Sequence, residues 1–200
     1  MKSVKRQEEY QYKPFIVKEL EDRRGGLSVS LKNLRKDVGV VPPGAYIGID
    51  EETGMGHILK IAELAENAAA NAVNLRVKKA HQLVVGDIVT SKDAVEGARA
   101  FSIESIDTSN AEFDVVRVRT TLGVALPAGS HLIGVKAEDT EGGESELPYT
   151  PLGLTKREII TTDSHASVGV LTKGTVTVAT LAFGAPQFFR DALIHITYEI

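Results

Sequence analysis

The segment Val84-Val85-Gly86-Asp87-Ile88-Val89-Thr90 and the later run Ala100-Phe101-Ser102-Ile103-Glu104-Ser105-Ile106 decide the fold class of this chain. The first places a Gly-Asp pair inside a β-branched run, and the second alternates apolar and polar residues with a period of two. Both patterns predict β-strands, because successive side chains of a strand point to opposite faces of a sheet. Turn formers at 107–110 precede a further strand at 113–119. Residues 81–135 are therefore predicted to form a β-meander.

Strand and turn patterns continue on both sides of this meander. Before it, Val40-Val41-Pro42-Pro43-Gly44 marks the start of a compact body, because proline cannot donate to a central ladder. A hairpin is predicted next, from Tyr46 to Ile61. After the meander, residues 166–171 and 175–181 read as paired strands. The sequence thus predicts a β-body over residues 40–200 that carries residues 81–135 as an inserted β subdomain.

Composition excludes several classes of protein. The 200 residues are 42% hydrophobic and 25% charged, as in ordinary soluble globular chains, and no run approaches the roughly 18 apolar residues of a membrane helix. The first residues lead into no apolar stretch, so the chain is expected to stay in the compartment where it is made. The absence of cysteine excludes disulfides, zinc-thiolate sites and thiol nucleophiles.

Charge is distributed unevenly along the chain. Residues 1–36 hold ten basic and five acidic side chains, a net charge of +5, which leaves −9 for the remainder. A basic, polar leader before an acidic body is typical of an arm, and residues 1–39 are predicted to form one. The alternatives are an arm that binds an acidic protein surface and a solvated tail without a partner; nucleic acid is disfavoured by the interleaved acids. The candidate anchoring residues are Lys2, Lys5, Arg6, Arg23, Arg24, Lys32, Arg35 and Lys36.

Candidate catalytic and metal-binding residues do not form a recognisable site. Asp163-Ser164-His165 contains the residue types of a hydrolytic triad, but three consecutive residues project in different directions, so a turn is predicted. The five histidines are single and widely spaced. Four aspartates are interpreted as turn or strand-end residues: Asp50, Asp87, Asp107 and Asp114. The sequence predicts no catalytic residue, no cofactor and no metal, and hence no enzyme.

The order of the strands and turns resembles a known family. Val85-Gly86-Asp87, the run 101–110, Phe113-Asp114-Val115-Val116 and Thr120-Thr121-Leu122-Gly123-Val124 resemble the head fibre or auxiliary capsid (decoration) proteins of tailed phages or prophages of Bacteroidetes. The order Val168-Gly169-Val170-Leu171-Thr172-Lys173-Gly174-Thr175-Val176 is similar to the small β-domains of capsid decoration proteins. The resemblance covers roughly residues 40–180.

This resemblance implies a structural virion protein. It would be a homotrimer on the capsid surface, made in the bacterial cytoplasm and encoded by a phage or prophage. It would attach to the major capsid protein and project outward, with no nucleic acid and no membrane as partner. The alternative is an adhesion module that binds a glycan of the host surface, although exposed aromatic residues are scarce in this sequence.

The resemblance also decides an ambiguous segment and sets the expected architecture. Residues 59–72 have the Ala, Leu and Glu content of a helix, but an all-β body favours two strands joined around 66–71. The expected fold is mainly β: a small barrel or sandwich with the inserted meander, an extended N-terminal arm and a short C-terminal helix.

That C-terminal helix is predicted from its start signal and its spacing. Pro186 can occupy a first helical turn, and Phe188, Phe189 and Leu193 share one face. Residues 194–200 alternate strictly and predict a last strand. The aromatic pair is expected in the core or, alternatively, between subunits, so Phe188, Phe189 and Leu193 are the candidate subunit interface.

Overall fold

The structure is a computed structural model that describes residues 14–143, 145–163 and 165–200. In these residues the chain is mainly β, as predicted, with one short C-terminal helix, α1 (Gln187–Ala192), and a 3₁₀ turn at Val178–Thr180. The described strands are β1 (Ile16–Asp22), β2 (Leu27–Val29), β3 (Val40–Val41), β4 (Tyr46–Ile49), β5 (Gly56–Ile58), β6 (Ile61–Glu63), β7 (Asn74–Lys78), β8 (Ile88–Thr90), β9 (Phe101–Asp107), β10 (Phe113–Val118), β11 (His131–Val135), β12 (Thr150–Thr155), β13 (Ile159–Ile160), β14 (Ala166–Val168), β15 (Val170–Thr177) and β16 (Ile196–Glu199).

Eight strands form one curled sheet, which we call the outer barrel. Its order is β1-β15-β12-β4-β5-β2-β14, and β16 pairs with β15 in parallel. Since only Gly169 separates β14, at one end of this order, from β15, next to the other end, the sheet curls back on itself. Two clusters of buried side chains fill it, one around Tyr46, Leu171 and Phe189 and the other around Ile47 and Val41.

Six strands form a second curled sheet, the inserted barrel. Its order is β6-β11-β8-β9-β10-β7, and an antiparallel bridge between Leu64 and Val77 brings its two ends together. Its core lies within residues 62–132. Alternation explains the packing: in β7, Leu75 and Val77 are buried while their neighbours are exposed.

The ambiguous segment contains strands, as favoured from the sequence. β6 and β7 are separate strands, and the Ala-rich stretch between them forms turns and an isolated bridge from Ala68 to Leu126. The strand pairings override the helical propensity of Ala and Glu, because Leu64 and Leu75 bury their side chains in the inserted barrel. This insert therefore starts at Ile61 instead of residue 81.

Residues 14–39 of the predicted arm are packed into the body. β1 pairs with β15, and β2 pairs with both β14 and β5, so these short strands find their partners within the chain. Phe15 and Leu27 are buried in the outer barrel. Burial of these apolar residues is the physical reason that this part is not a separate arm; residues 1–13 lie outside the described part.

Candidate functional site

Three exposed apolar side chains lie on β1 or directly before β16, two of the strands that pair with β15 in the outer barrel. Val17 and Leu20 of β1 are each 55% exposed, and Ile194, directly before β16, is 75% exposed. The adjacent strands place Thr175 and Thr197 opposite each other, facing outward because Val176 and Ile196 are buried. We call these five residues the β1–β16 surface.

The outer edge of β1 is poorly suited to strand addition. Its pairing with β15 has three register shifts, and four of its seven residues are charged. Two of these charges are paired, because Lys156 binds Glu19 at 2.7 Å and Asp22 at 3.0 Å. Bulges and charges are the features by which edge strands avoid pairing with other chains.

The predicted anchoring residues do not share one surface. Lys2, Lys5 and Arg6 lie outside the described residues. Arg24 is exposed and Arg23 half-buried in the turn between β1 and β2. Lys32 and Lys36 are exposed and line one groove of about 460 Å³, where the Lys36 ammonium donates to the carbonyl of Thr161.

Arg35 is buried instead of available for anchoring. Only 8% of its side chain is exposed; Nη1 binds Asp114 Oδ2 at 2.6 Å and Nη2 binds Asp37 Oδ2 at 2.5 Å. Its backbone N–H donates to Gln82 Oε1 at 3.1 Å. Because Asp114 and Gln82 belong to the inserted barrel, Arg35 ties the two barrels together.

His81 and Lys79 complete this buried ionic network. Lys79 Nζ lies 2.5 Å from Asp114 Oδ1. His81 Nδ1 accepts the Leu83 N–H at 3.2 Å, and His81 Nε2 lies 3.0 Å from Arg35 Nη1 and 3.2 Å from Asp114 Oδ2. Burial and the Arg35 charge lower the pKa of His81 to about 4, so the ring is neutral at pH 7. Burial alone would raise the pKa of Asp114, but Lys79 and Arg35 hold it below its usual range.

The sequence missed this network because Asp114 resembled a turn residue. It lies inside β10 and is fully buried, on the same side as Val116 and Val118. The signal was available in the sequence. Every second side chain of a strand points to the same face, so a strand that points Val116 and Val118 into a core also points Asp114 inward. Asp50 and Asp107, in contrast, accept backbone N–H groups in turns, as interpreted from the sequence.

The candidate subunit interface is mostly core. Phe189 is fully buried and stacks on Tyr46 with ring centroids 4.3 Å apart, and Leu193 is 6% exposed. Phe188 is half-buried, and its backbone N–H donates to Asp93 Oδ1 of the inserted barrel at 2.5 Å. The helix packs these side chains inward because its apolar face covers the core of the outer barrel. Ile194 is the exposed apolar residue of this region.

The histidines and acids do not converge on a metal site in the described part of the chain. Groups of three or more His, Asp or Glu side chains in ligand geometry are absent among those residues. Asp163 and His165 lie in the groove that also contains Lys32 and Lys36, and Ser164 lies outside the described residues. No described helix is long and apolar enough to cross a membrane.

Comparison with known proteins gives no relative. No protein-family model, no curated protein and no solved structure matches this chain.

Proposed function

We propose that the chain is a structural virion protein, a head fibre or capsid decoration subunit that attaches to the capsid lattice and projects outward. The observation that supports this function is the unequal distribution of exposed apolar side chains. Three exposed large hydrophobic side chains, those of Val17, Leu20 and Ile194, belong to the β1–β16 surface of the outer barrel. In the described residues of the inserted barrel, Val85 is the exposed large hydrophobic residue. The outer barrel then makes the protein contacts and the inserted barrel faces away.

The proposed mechanism is multivalent. Several chains, most simply three, associate through the β1–β16 surface, and each chain adds a weak contact with the major capsid protein. On a repeating lattice the second and third contacts form at high effective concentration, so modest affinities add up to stable attachment. The buried ionic network supports projection, because it fixes the inserted barrel to the attached one.

The oligomeric state tests the assembly part of the proposal. Light scattering is expected to give three times the 21.5 kDa of one chain, and a chain without residues 1–13 is expected to remain a trimer, with three times its own smaller mass. The double variant Val17→Asp, Ile194→Asp is expected to be a monomer, because a buried unpaired carboxylate opposes association. The matched control Val85→Asp, on the exposed turn of the inserted barrel, keeps the trimer. A monomeric wild-type chain at about 100 µM would contradict this assembly.

The proposed location of the chain on the capsid is tested with purified phage particles. Phage particles are purified by density gradient from cultures that express the gene, and their proteins are quantified by mass spectrometry. The chain is expected to be present in tens to hundreds of copies per capsid, as a lattice requires. Its absence from intact particles would overturn the virion assignment.

A further inference from the structure

A cleft of about 390 Å³ lies where the two barrels meet. The loop at 30–34 and Lys60 line one part of it, the turn at Gly86–Asp87 and the end of β11 line another, and Tyr149 completes it. This volume falls in the range of small-molecule sites, which occur preferentially at junctions between structural units. The cleft is separate from the β1–β16 surface, so the inference below is independent of the proposed lattice attachment.

The charges that line the cleft favour an anion. The Lys60 ammonium donates to both carboxylate oxygens of Asp87, at 2.8 and 2.6 Å, and the Val84 N–H donates to Oδ2 at 2.8 Å. The carboxylate is thereby neutralised. Two further lysines lie beside the cleft. Lys136 is 66% exposed and forms a long, solvent-exposed ion pair with Glu146 at 3.7 Å, which a ligand carboxylate can replace. The Lys32 side chain is exposed and makes no ion pair or hydrogen bond with the described residues.

Two stacked rings provide the flat part of the cleft. The His57 and Tyr149 rings lie 3.9 Å apart at an interplanar angle of 12°. Burial lowers the pKa of His57, so its ring is uncharged at pH 7. The negative face of a neutral aromatic ring attracts the weakly positive C–H groups of a ring-shaped ligand. Gly48 allows this arrangement, because a Cβ there would lie 2.9 Å from the Cβ of Tyr149.

Polar groups beside the two rings are suited to hydrogen-bond the hydroxyl groups of a ligand. Asn33 lies in the left-handed region, with φ of 60°, and its amide lines the cleft together with Ser30. An amide offers both donors and an acceptor, as does a serine hydroxyl, so each can bond to either side of a ligand hydroxyl.

We propose that this cleft binds a carboxylate-bearing saccharide. The sugar ring packs on the His57–Tyr149 pair, Asn33 and Ser30 bind its hydroxyls, and Lys32 and Lys136 neutralise its carboxylate. Inorganic phosphate would use the lysines but not the rings, and a neutral sugar would use the rings but not the lysines. Both features together select a ligand with a ring, hydroxyls and a negative charge.

The first test is an NMR titration of the ¹⁵N-labelled full chain at constant ionic strength. Glucuronate, galacturonate and N-acetylneuraminate are the acidic probes, with glucose and inorganic phosphate as comparisons. At least one acidic sugar is expected to give saturable shifts at Asn33, Gly86 and Lys136. Glucose is expected to bind about ten-fold more weakly, since a charge-assisted bond is lost. No saturable shift with any acidic sugar, or tighter binding of phosphate or glucose, overturns the proposal.

Variants distinguish binding in the cleft from non-specific attraction of an anionic sugar to any exposed lysine. Lys32→Ala and Lys136→Ala are each expected to weaken binding of the acidic sugar about ten-fold. Lys173→Ala, an exposed lysine outside the cleft, serves as the matched control and is expected to leave affinity unchanged. Tyr149→Phe should retain binding and Tyr149→Leu should lose it, with urea unfolding to verify that both are folded. Equal weakening by Lys173→Ala and Lys32→Ala overturns the assignment.

Discussion

Asp114 shows how a single buried carboxylate can join two parts of this molecule. Its two oxygens are shared among Lys79 of the inserted barrel, Arg35 of the outer barrel and the neutral ring of His81. A buried ion pair contributes little relative to an apolar pair of the same shape, but breaking it leaves a buried charge without a partner. The network therefore acts mainly on specificity: it defines one orientation of the two barrels.

Removing this carboxylate is expected to be costly. Asp114→Ala should lower the free energy of unfolding by about 3–5 kcal/mol, because Arg35 keeps only Asp37 and Lys79 loses its ion pair. Glu104→Ala is the matched control: its 3.1 Å pair with Arg117 is half exposed and should contribute at most about 1 kcal/mol. Urea unfolding measures both. Equal losses in the two variants would show that the network is not a stabilising unit.

The protonation of His81 is expected to make stability depend on pH. Its pKa is about 4 in the fold, against an ordinary value of 6.5. Between these values the unfolded chain binds a proton that the folded chain does not, so stability falls as the pH decreases from 6.5 to 4. Burial shifts the pKa of His57 and of His131 in the same direction. Below this window, Asp114 and Asp37 lose their contribution as they are protonated.

This pH dependence is measured by urea unfolding at several pH values from 4.5 to 7.5. His81→Gln is expected to give a smaller slope of unfolding free energy against pH than the wild type, with the slope from the other histidines retained. An unchanged slope in His81→Gln would mean that His81 does not titrate differently in the folded and unfolded chains.

At the scale of the elements, the backbone of β15 leaves no room for a side chain at Gly153 of β12. A Cβ at this position would lie 2.1 Å from the carbonyl oxygen of Leu171, a backbone atom that cannot move alone. Gly153→Ala is expected to destabilise the outer barrel by about 3 kcal/mol or more, through forced shifts of the backbone. Gly134→Ala is the control, since its nearest atoms are 3.5 Å away and the cost should stay below about 1 kcal/mol. Thermal unfolding of both variants measures these costs. An unchanged melting temperature in Gly153→Ala would contradict the close packing of β12 against β15.

The sequence predicted where strands and the helix lie along the chain better than it predicted which strands and side chains pair with one another. Alternation located β9 and β10, and Pro186 located the start of α1, because these signals are local. The assignment of Phe15–Val17 to a free arm failed for a physical reason: its partner, β15, lies about 150 residues later, and no local pattern reports such a pairing. Likewise, Asp114 was interpreted as a turn or strand-end residue although the alternation in β10 offered a signal for its burial, and no local pattern could identify Arg35 as its partner.

At the scale of the whole molecule, the chain enters and leaves the inserted barrel at neighbouring points. Ile61 pairs with Ile133, so the outer barrel is interrupted at one place only and its own pairings are preserved. Those two side chains pack into the core of the outer barrel, which extends the apolar contact across the junction. The remaining core of the inserted barrel lies within residues 62–132. An inserted unit with adjacent ends and a core of its own has the properties of an independent folding unit.

We therefore expect the fragment of residues 60–136 to fold alone, with dispersed amide signals in an NMR spectrum and a cooperative thermal transition. It should be less stable than the same residues in the whole chain, because Asp114 loses Arg35 while Ile61 and Ile133 become exposed. The shorter fragment of residues 81–135 is the control. Without β6 and β7 it loses the Leu64–Val77 bridge and four core side chains, those of Ala62, Leu64, Leu75 and Val77, and should remain unfolded. Disorder in the longer fragment would mean that the inserted barrel folds only on the outer one, and equal order in both would place the boundary at residue 81.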